Sequence, residues 1–204
     1  TATYQSLKAG ALPETHLSSS QVQKIAALSQ QSQEPVSFIL PSNKVPYRHG
    51  LESLRFSSSY QYFAKSPQQL QHWLSAPAYQ ELFPRQIKDI EIKKIDPNTF
   101  DADYKISVGL GVINIPFDFK LRFDYPNSLE NQFDAVGGDL QFVKGGMQLI
   151  PQGTGTLLNV TSAMKIHDKA PVLLRAMRSM PYHDMLPALG GNTVLALKIK
   201  QKMK

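Results

Sequence analysis

Between Phe100 and Tyr125 the chain repeats, twice over, the period of a sheet with one wet face. Phe100, Ala102, Tyr104, Ile106, Val108 and Leu110 fall on one side of an extended chain, and Asp101, Asp103, Lys105 and Ser107 on the other. Phe117, Phe119, Leu121, Phe123 and Tyr125 then alternate with Asp118, Lys120, Arg122 and Asp124. Successive strand residues point to opposite faces, so the two runs predict an antiparallel hairpin, charged on one side and aromatic on the other. So many large apolar groups on one face must be covered by a helix, a second sheet or a ligand.

The same pattern extends in both directions. Strands are expected over Ile87 to Ile95, Phe100 to Leu110, Ile113 to Tyr125, Leu129 to Val136, Leu140 to Ile150 and Thr156 to His167, joined by turn-forming segments such as Asp96-Pro97-Asn98 and Gly137-Gly138-Asp139. Six consecutive strands with short joins make an antiparallel meander. An earlier strand is expected over Leu54 to Ala64. Ser66-Pro67 after it supplies a helix cap and a first-turn proline, with Leu70, Trp73 and Leu74 as the buried stripe before Pro77. A second short helix spans Ala78 to Phe83. From Ala170 helix returns, interrupted at Pro181, Pro187 and Gly190-Gly191 and resuming from about Thr193 to Lys202.

Residues 1–50 differ in texture. They hold one amphipathic helix, Ser20 to Gln30, among Ser, Gln and Pro, and Pro35, Pro41 and Pro46 break up the rest. This predicts an N-terminal extension of 1–50 that packs on the surface of a main domain of 51–204 or leads into it.

Composition narrows the function. With 204 residues, 42% hydrophobic and 19% charged, the chain can bury a proper core. It has no apolar run near the roughly 18 residues of a membrane-spanning helix, so a soluble chain is expected, with transient contact to a membrane surface still open to it. The absence of cysteine excludes disulfides, thiolate metal sites and thiol catalysis. The net charge of +6 is scattered except for Lys198, Lys200, Lys202 and Lys204, where cations suit the negative pole of a helix dipole; no nucleic-acid-binding motif accompanies them. A start at Thr1 and a composition rich in Gln and Ser favour an exported or periplasmic protein over a cytoplasmic one. Asn159-Val160-Thr161 matches a glycosylation acceptor but falls inside a strand pattern.

One strand, two short helices, six strands and a long C-terminal helix is an order with a known resemblance. Ala64-Lys65-Ser66-Pro67-Gln68-Gln69-Leu70 into Trp73-Leu74, then Ala78 to Pro84 and Pro171 to Met180, resemble the START-related, Bet v 1-like superfamily, also called the polyketide cyclase/dehydrase and lipid transport group. The resemblance covers about residues 52–204. It implies an α+β helix-grip fold, in which a curved antiparallel sheet wraps the C-terminal helix around an apolar cavity for a lipid, sterol, quinone or polyketide. On that reading the cavity would be lined by Tyr104, Ile106, Phe117, Phe119, Leu121, Phe133, Met147, Leu149, Val160 and Met164 from the sheet. Trp73 and Phe83 would come from the short helices, and Met177, Met180 and Met185 from the last one. Thioethers adapt to varied ligand shapes, and Tyr104 or Asn131 would orient the ligand.

Catalytic material is thin. His183, flanked by Tyr182 and Asp184, is the best acid–base candidate, although adjacent helical residues point in different directions. No HExxH, GxSxG or phosphate-loop pattern occurs, and no histidines are spaced as metal ligands, so neither metal nor cofactor is expected. The reading is a binding or carrier protein for a hydrophobic small molecule. A cyclase- or dehydratase-like enzyme in the same cavity and a protein-interaction module are the alternatives.

Overall fold

In the computed structural model the two alternating runs are adjacent strands, Thr99–Leu110 and Ile113–Asn127, paired from Thr99↔Asp124 to Leu110↔Ile113. The structure describes residues 17–40, 43–47, 50–110, 113–166, 172–176, 179, 181–182 and 185–204. Within them the order is α1 (Ser19–Ser32), β1 (Val36–Ile39), β2 (Asn43–Tyr47), β3 (Gly50–Leu54), β4 (Ser57–Phe63) and α2 (Pro67–Leu70). A 3₁₀ turn (Gln71–Leu74) and α3 (Ala78–Leu82) follow, then β5 (Ile87–Asp96), β6 (Thr99–Leu110), β7 (Ile113–Asn127), β8 (Glu130–Gly138), β9 (Leu140–Gln152) and β10 (Gly155–Ile166), and last α4 (Val172–Ala176) and α5 (Leu186–Lys202). Eight strands form one antiparallel sheet in the order β1-β4-β10-β9-β8-β7-β6-β5, while β2 and β3 form a separate hairpin.

The meander β5 to β10 follows the expected spans closely, because β6 to β8 keep one wet face and short turn segments mark the joins. The convex face of β6 to β9 is a lattice of opposite charges. Asp101 takes two hydrogen bonds from Arg122, at 2.7 and 3.0 Å; Lys105 lies 3.0 Å from Asp118 and 3.4 Å from Asp103; Lys120 lies 3.2 Å from Asp103 and Lys144 3.5 Å from Asp134. Each pair adds little stability, but together they favour this register and keep the face hydrated.

Several expectations change before β5. The strand expected from Leu54 to Ala64 is two elements, since β3 ends at Leu54 and β4 begins at Ser57. Pro35 and Pro46 do not break up the chain as expected: β1 follows Pro35 and adds to the sheet beside β4, with Val36 opposite Tyr60, and Pro46 lies within β2, while Pro41 lies outside the described residues. Helix α1 is present and slightly longer than the expected Ser20 to Gln30, and its Ser18–Gln21 capping box closes the N-terminus. It packs on the convex side of the sheet, where Ala26, Tyr60 and Leu157 form a small core and Phe38 stacks on Tyr60 with ring centres 5.8 Å apart. Ser29 fastens it, accepting from the Tyr62 N–H and donating to Glu34 O, both at 2.9 Å. Asn159, of the glycosylation triplet, is buried in mid-strand beside these groups.

The last helix also differs. Gly190-Gly191 do not interrupt it; they lie inside α5, and Pro187 occupies its first turn, where a missing N–H costs nothing. Ala188, Asn192, Leu195, Ala196 and Ile199 recur at helical spacing and are buried against the concave face. The helix packs chiefly on β4 and β10, and also on β1 and α3.

Candidate functional site

The concave face is built from every second residue of eight strands, and α5 lies over one half of it. Under the C-terminal part of α5 the packing is apolar: Phe63, Leu158, Val160, Met147 and Leu149 from the sheet meet Leu195, Ala196 and Ile199, with Leu70, Trp73, Leu74 and Leu82 closing the end. Under its N-terminal part the contact is polar. Asn192 Nδ2 donates to Ser57 O (3.1 Å) and Ser57 Oγ (2.8 Å), and Asn192 Oδ1 accepts from Ser162 Oγ (2.6 Å). Thr193 Oγ1 shares hydrogen bonds with Ser37 (2.8 Å) and Ser59 (3.3 Å). These small side chains let the helix seat closely on β4 and satisfy the Asn192 amide that the contact buries.

The other half, β5 to β8, is aromatic. Ala102, Tyr104, Leu121, Phe123, Phe133 and Ala135 form its buried floor, and Ile106, Phe119 and Met164 are only partly buried against it. Tyr104 and Phe119 stack at 5.0 Å, Phe117 and Phe119 at 5.9 Å, and Phe123 meets Phe133 at 5.8 Å. Of the described concave positions from β6 across to β4, none carries a carboxylate, ammonium, guanidinium or imidazole group.

Polar atoms on this face gather around the loop after the 3₁₀ turn. Asn131 Nδ2 donates to Leu74 O at 2.6 Å while its Oδ1 accepts the Met147 N–H at 2.9 Å. Tyr125 Oη donates to Leu74 O and accepts the Ala76 N–H, both at 3.2 Å, and Tyr104 Oη donates to Ala76 O at 3.0 Å. Tyr104 and Asn131 were expected to orient a ligand; the structure instead commits both to holding Leu74-Ser75-Ala76 against the sheet. The Tyr79 hydroxyl is the exception in this group: it is buried with the Asn131 side chain beside it, but makes no hydrogen bond of ordinary geometry. Burial, reinforced by Tyr125, pushes the Tyr79 phenol well above the ordinary tyrosine value, the Asn131 amide opposing it more weakly. Burial likewise raises Tyr104, and raises Tyr125 to about 12. All three are therefore neutral hydrogen-bonding groups at neutral pH, not bases.

The expected lining residues divide between the two halves. Trp73 and Met147 are core under α5, and the Trp73 indole N–H points at the sulfur of Met203, 3.2 Å away. Tyr104, Ile106, Phe119, Phe133 and Met164 belong to the aromatic half, with Phe117 stacked on Phe119, and Phe83 bridges the two clusters. Met185 is buried just before α5, its sulfur 3.0 Å from Arg55 Nη1. Met177, Met180 and His183 lie outside the described residues. His72, the one described histidine, sits on the surface against Glu81 at 2.9 Å. Among the described residues no group of histidine and carboxylate side chains could hold a metal ion, and no helix is long and apolar enough to cross a membrane. Two surface grooves, of about 420 and 380 Å³, flank the β7–β8 turn and are lined by Asn127, Ser128 and their neighbours; both lie at the end of the sheet.

Sequence reasoning missed Tyr79. Its position on a short helix near Pro77 was visible, but the signal that matters, a hydroxyl left without a partner, exists only once Asn131, Tyr104 and Tyr125 are placed.

No family model matches the sequence, and no curated protein matches it. Solved structures do match. The chain is similar to TTHA0849 from Thermus thermophilus, at 14% identity and a TM-score of 0.52 over 72% of this chain and 98% of that one. It is similar to the ZhuI aromatase/cyclase from Streptomyces sp. R1128, at 13% identity and 0.53 over 74% and 96%, and to Ara h 8.0201, at 14% and 0.50 over 72% and 95%. At these identities the likeness is one of fold. An eight-stranded antiparallel sheet gripping a C-terminal helix, with short helices after the strand Ser57–Phe63, is the helix-grip fold of the START-related and Bet v 1-like proteins.

Proposed function

We propose that this protein binds or carries a hydrophobic small molecule, of the lipid, sterol or quinone kind, between the aromatic half of the sheet and α5. The observation that carries the reading is the unequal covering of one concave face: the half under α5 is tightly packed, while Ile106, Phe117, Phe119 and Met164 on the other half stay partly exposed. Apolar area of this kind gains about 25 cal/mol per Å² when a ligand removes it from water. The Tyr79 hydroxyl has no exposed surface in this structure, so it would donate to a carbonyl, ether or hydroxyl oxygen of the ligand only once ligand entry parts the rings packed around it.

Native mass spectrometry of the freshly purified protein, followed by organic extraction, tests this. A stoichiometric hydrophobic adduct supports the carrier reading and names the ligand class. A clean apo mass with no uptake from a mixture of lipids and quinones would overturn it. Tyr79→Phe gives a second readout with opposite signs: if the hydroxyl meets a ligand, affinity falls several-fold, worth about 1 kcal/mol. If it serves nothing, removing an unpaired buried hydroxyl raises stability and leaves uptake unchanged.

A further inference from the structure

Strand β5 ends the sheet, and among the described residues no strand pairs with its outer side. It is ten residues long, and Ile92 and Ile95 are 40% and 44% exposed. Its regular part, Asp89 to Lys94, pairs with Lys105 to Phe100 of β6 between two register shifts. The Ile90 N–H is taken by the Asp89 carboxylate at 2.9 Å instead of by β6. In an antiparallel ladder backbone groups point alternately to either side, so Ile92 and Lys94 turn both N–H and C=O to the open edge, and Ile90 its C=O, its N–H being held by Asp89.

We propose that β5 is a homodimer interface, in which two copies pair their β5 strands antiparallel about a two-fold axis at Ile92. The sequence selects that register. With Ile92 opposite Ile92, the neighbouring pairs are Glu91 with the partner's Lys93 and Lys93 with the partner's Glu91, and Ile90 lies beside the aliphatic stem of the partner's Lys94. Sliding by one pair in either direction, while keeping outward-facing residues opposite one another, sets Glu91 against Glu91 or Lys93 against Lys93. Only the Ile92 register joins opposite charges and no like ones, and opposed like charges across a ladder are unfavourable. A second observation points the same way. Within its own chain Glu91 stands opposite Asp103, a like-charge pair, while Asp103 is occupied by Lys105 and Lys120. The favourable partner of Glu91 is therefore on the open side. A C2 axis makes each contact twice, which is how a short self-complementary strand becomes an interface. Five paired residues per chain bury less than the roughly 1,000 Å² of a firm interface, so the dimer is a weak, concentration-dependent one.

Sedimentation velocity of the full chain over a wide concentration range tests this, with Glu91→Lys and Lys93→Glu as the variants and thermal melts confirming that both fold. The parent is expected to show a monomer–dimer equilibrium. Each single variant, which opposes two like-charge pairs, should dimerise at least about tenfold more weakly. An equimolar mixture of the two variants restores both opposite-charge pairs and should form heterodimer at the parent's strength. A parent that stays monomeric throughout, single variants that dimerise as well as the parent, or a mixture no better than its components would each overturn the proposal.

Discussion

Under α5 the sheet presents Ser57, Ser59 and Ser162 to a helix that answers with Ala188, Asn192 and Ala196; across the same face it presents Phe117, Phe119, Phe123 and Phe133. The first half is made for a close, directional fit. Short hydroxyl groups let two backbones approach, and hydrogen bonds from Asn192 and Thr193 admit one seating of the helix. The second half is made of large rigid rings, which a helix faced with alanine cannot interdigitate. One face thus has a part that specifies where its helix sits and a part where a buried floor of Phe123 and Phe133 carries a rim, Ile106, Phe117, Phe119 and Met164, that is only partly covered.

Truncations should separate the two halves most sharply. Leu195→Ala, in the closed half, is expected to cost about 2–5 kcal/mol, and Phe123→Ala, in the buried floor of the aromatic half, about 3–5 kcal/mol, read by denaturant unfolding. Phe119→Ala, on the partly exposed rim, should cost distinctly less while lowering uptake of a hydrophobic ligand. Equal losses at Leu195 and Phe119 would erase the distinction. Asn192→Ala leaves Ser57 and Ser162 without their partner and should cost about 1–3 kcal/mol; an unchanged midpoint would mean that water replaces the amide freely.

A smaller effect of opposite sign is expected at Gly190 and Gly191. Both are exposed, and a Cβ built on either meets nothing within 4 Å. Each change to Ala should therefore add about 0.5–1 kcal/mol of stability by stiffening the unfolded chain and the helix. A loss instead would show that the polar half relies on a yielding helix. The smallest effect lies on the convex face. Hydrogen bonds from Arg122 hold the Asp101 carboxyl below its ordinary value of 3.8. A lowered folded-state pKa gives stability that is complete above the unfolded value and is lost as pH falls through the folded one. Asp101→Asn should thus cost less than about 1 kcal/mol at pH 7, with the difference from the parent closing as pH falls below that ordinary value, as pH-dependent melting would show.

The meander was legible because β6 to β8 each keep one wet face and turn-forming residues mark the joins on either side, although β10 is itself buried on both faces from Gly155 to Ala163. Strand β4 was not: Ser57 to Gln61 are all buried, since α1 covers one side and α5 the other, and a period of two carries no information when both faces are dry. Gly190-Gly191 read as a break because propensity favours one, and the packing of Ala188, Asn192 and Leu195 overrides it. For the site, alternation placed Tyr104 and Phe119 on the dry face of the hairpin, and that face is the concave one. Which of those residues a helix covers depends on contacts between Ser57 and Asn192, 135 residues apart, which no local pattern records.

Asn131, Tyr125 and Tyr104 come from three different strands and hold one short loop, Leu74 to Ala76, by both carbonyls and an N–H. A hinge cannot work where three neighbouring strands are pinned to the same point. That end of the fold is sealed, and the sealing is done by the polar groups of an otherwise apolar face.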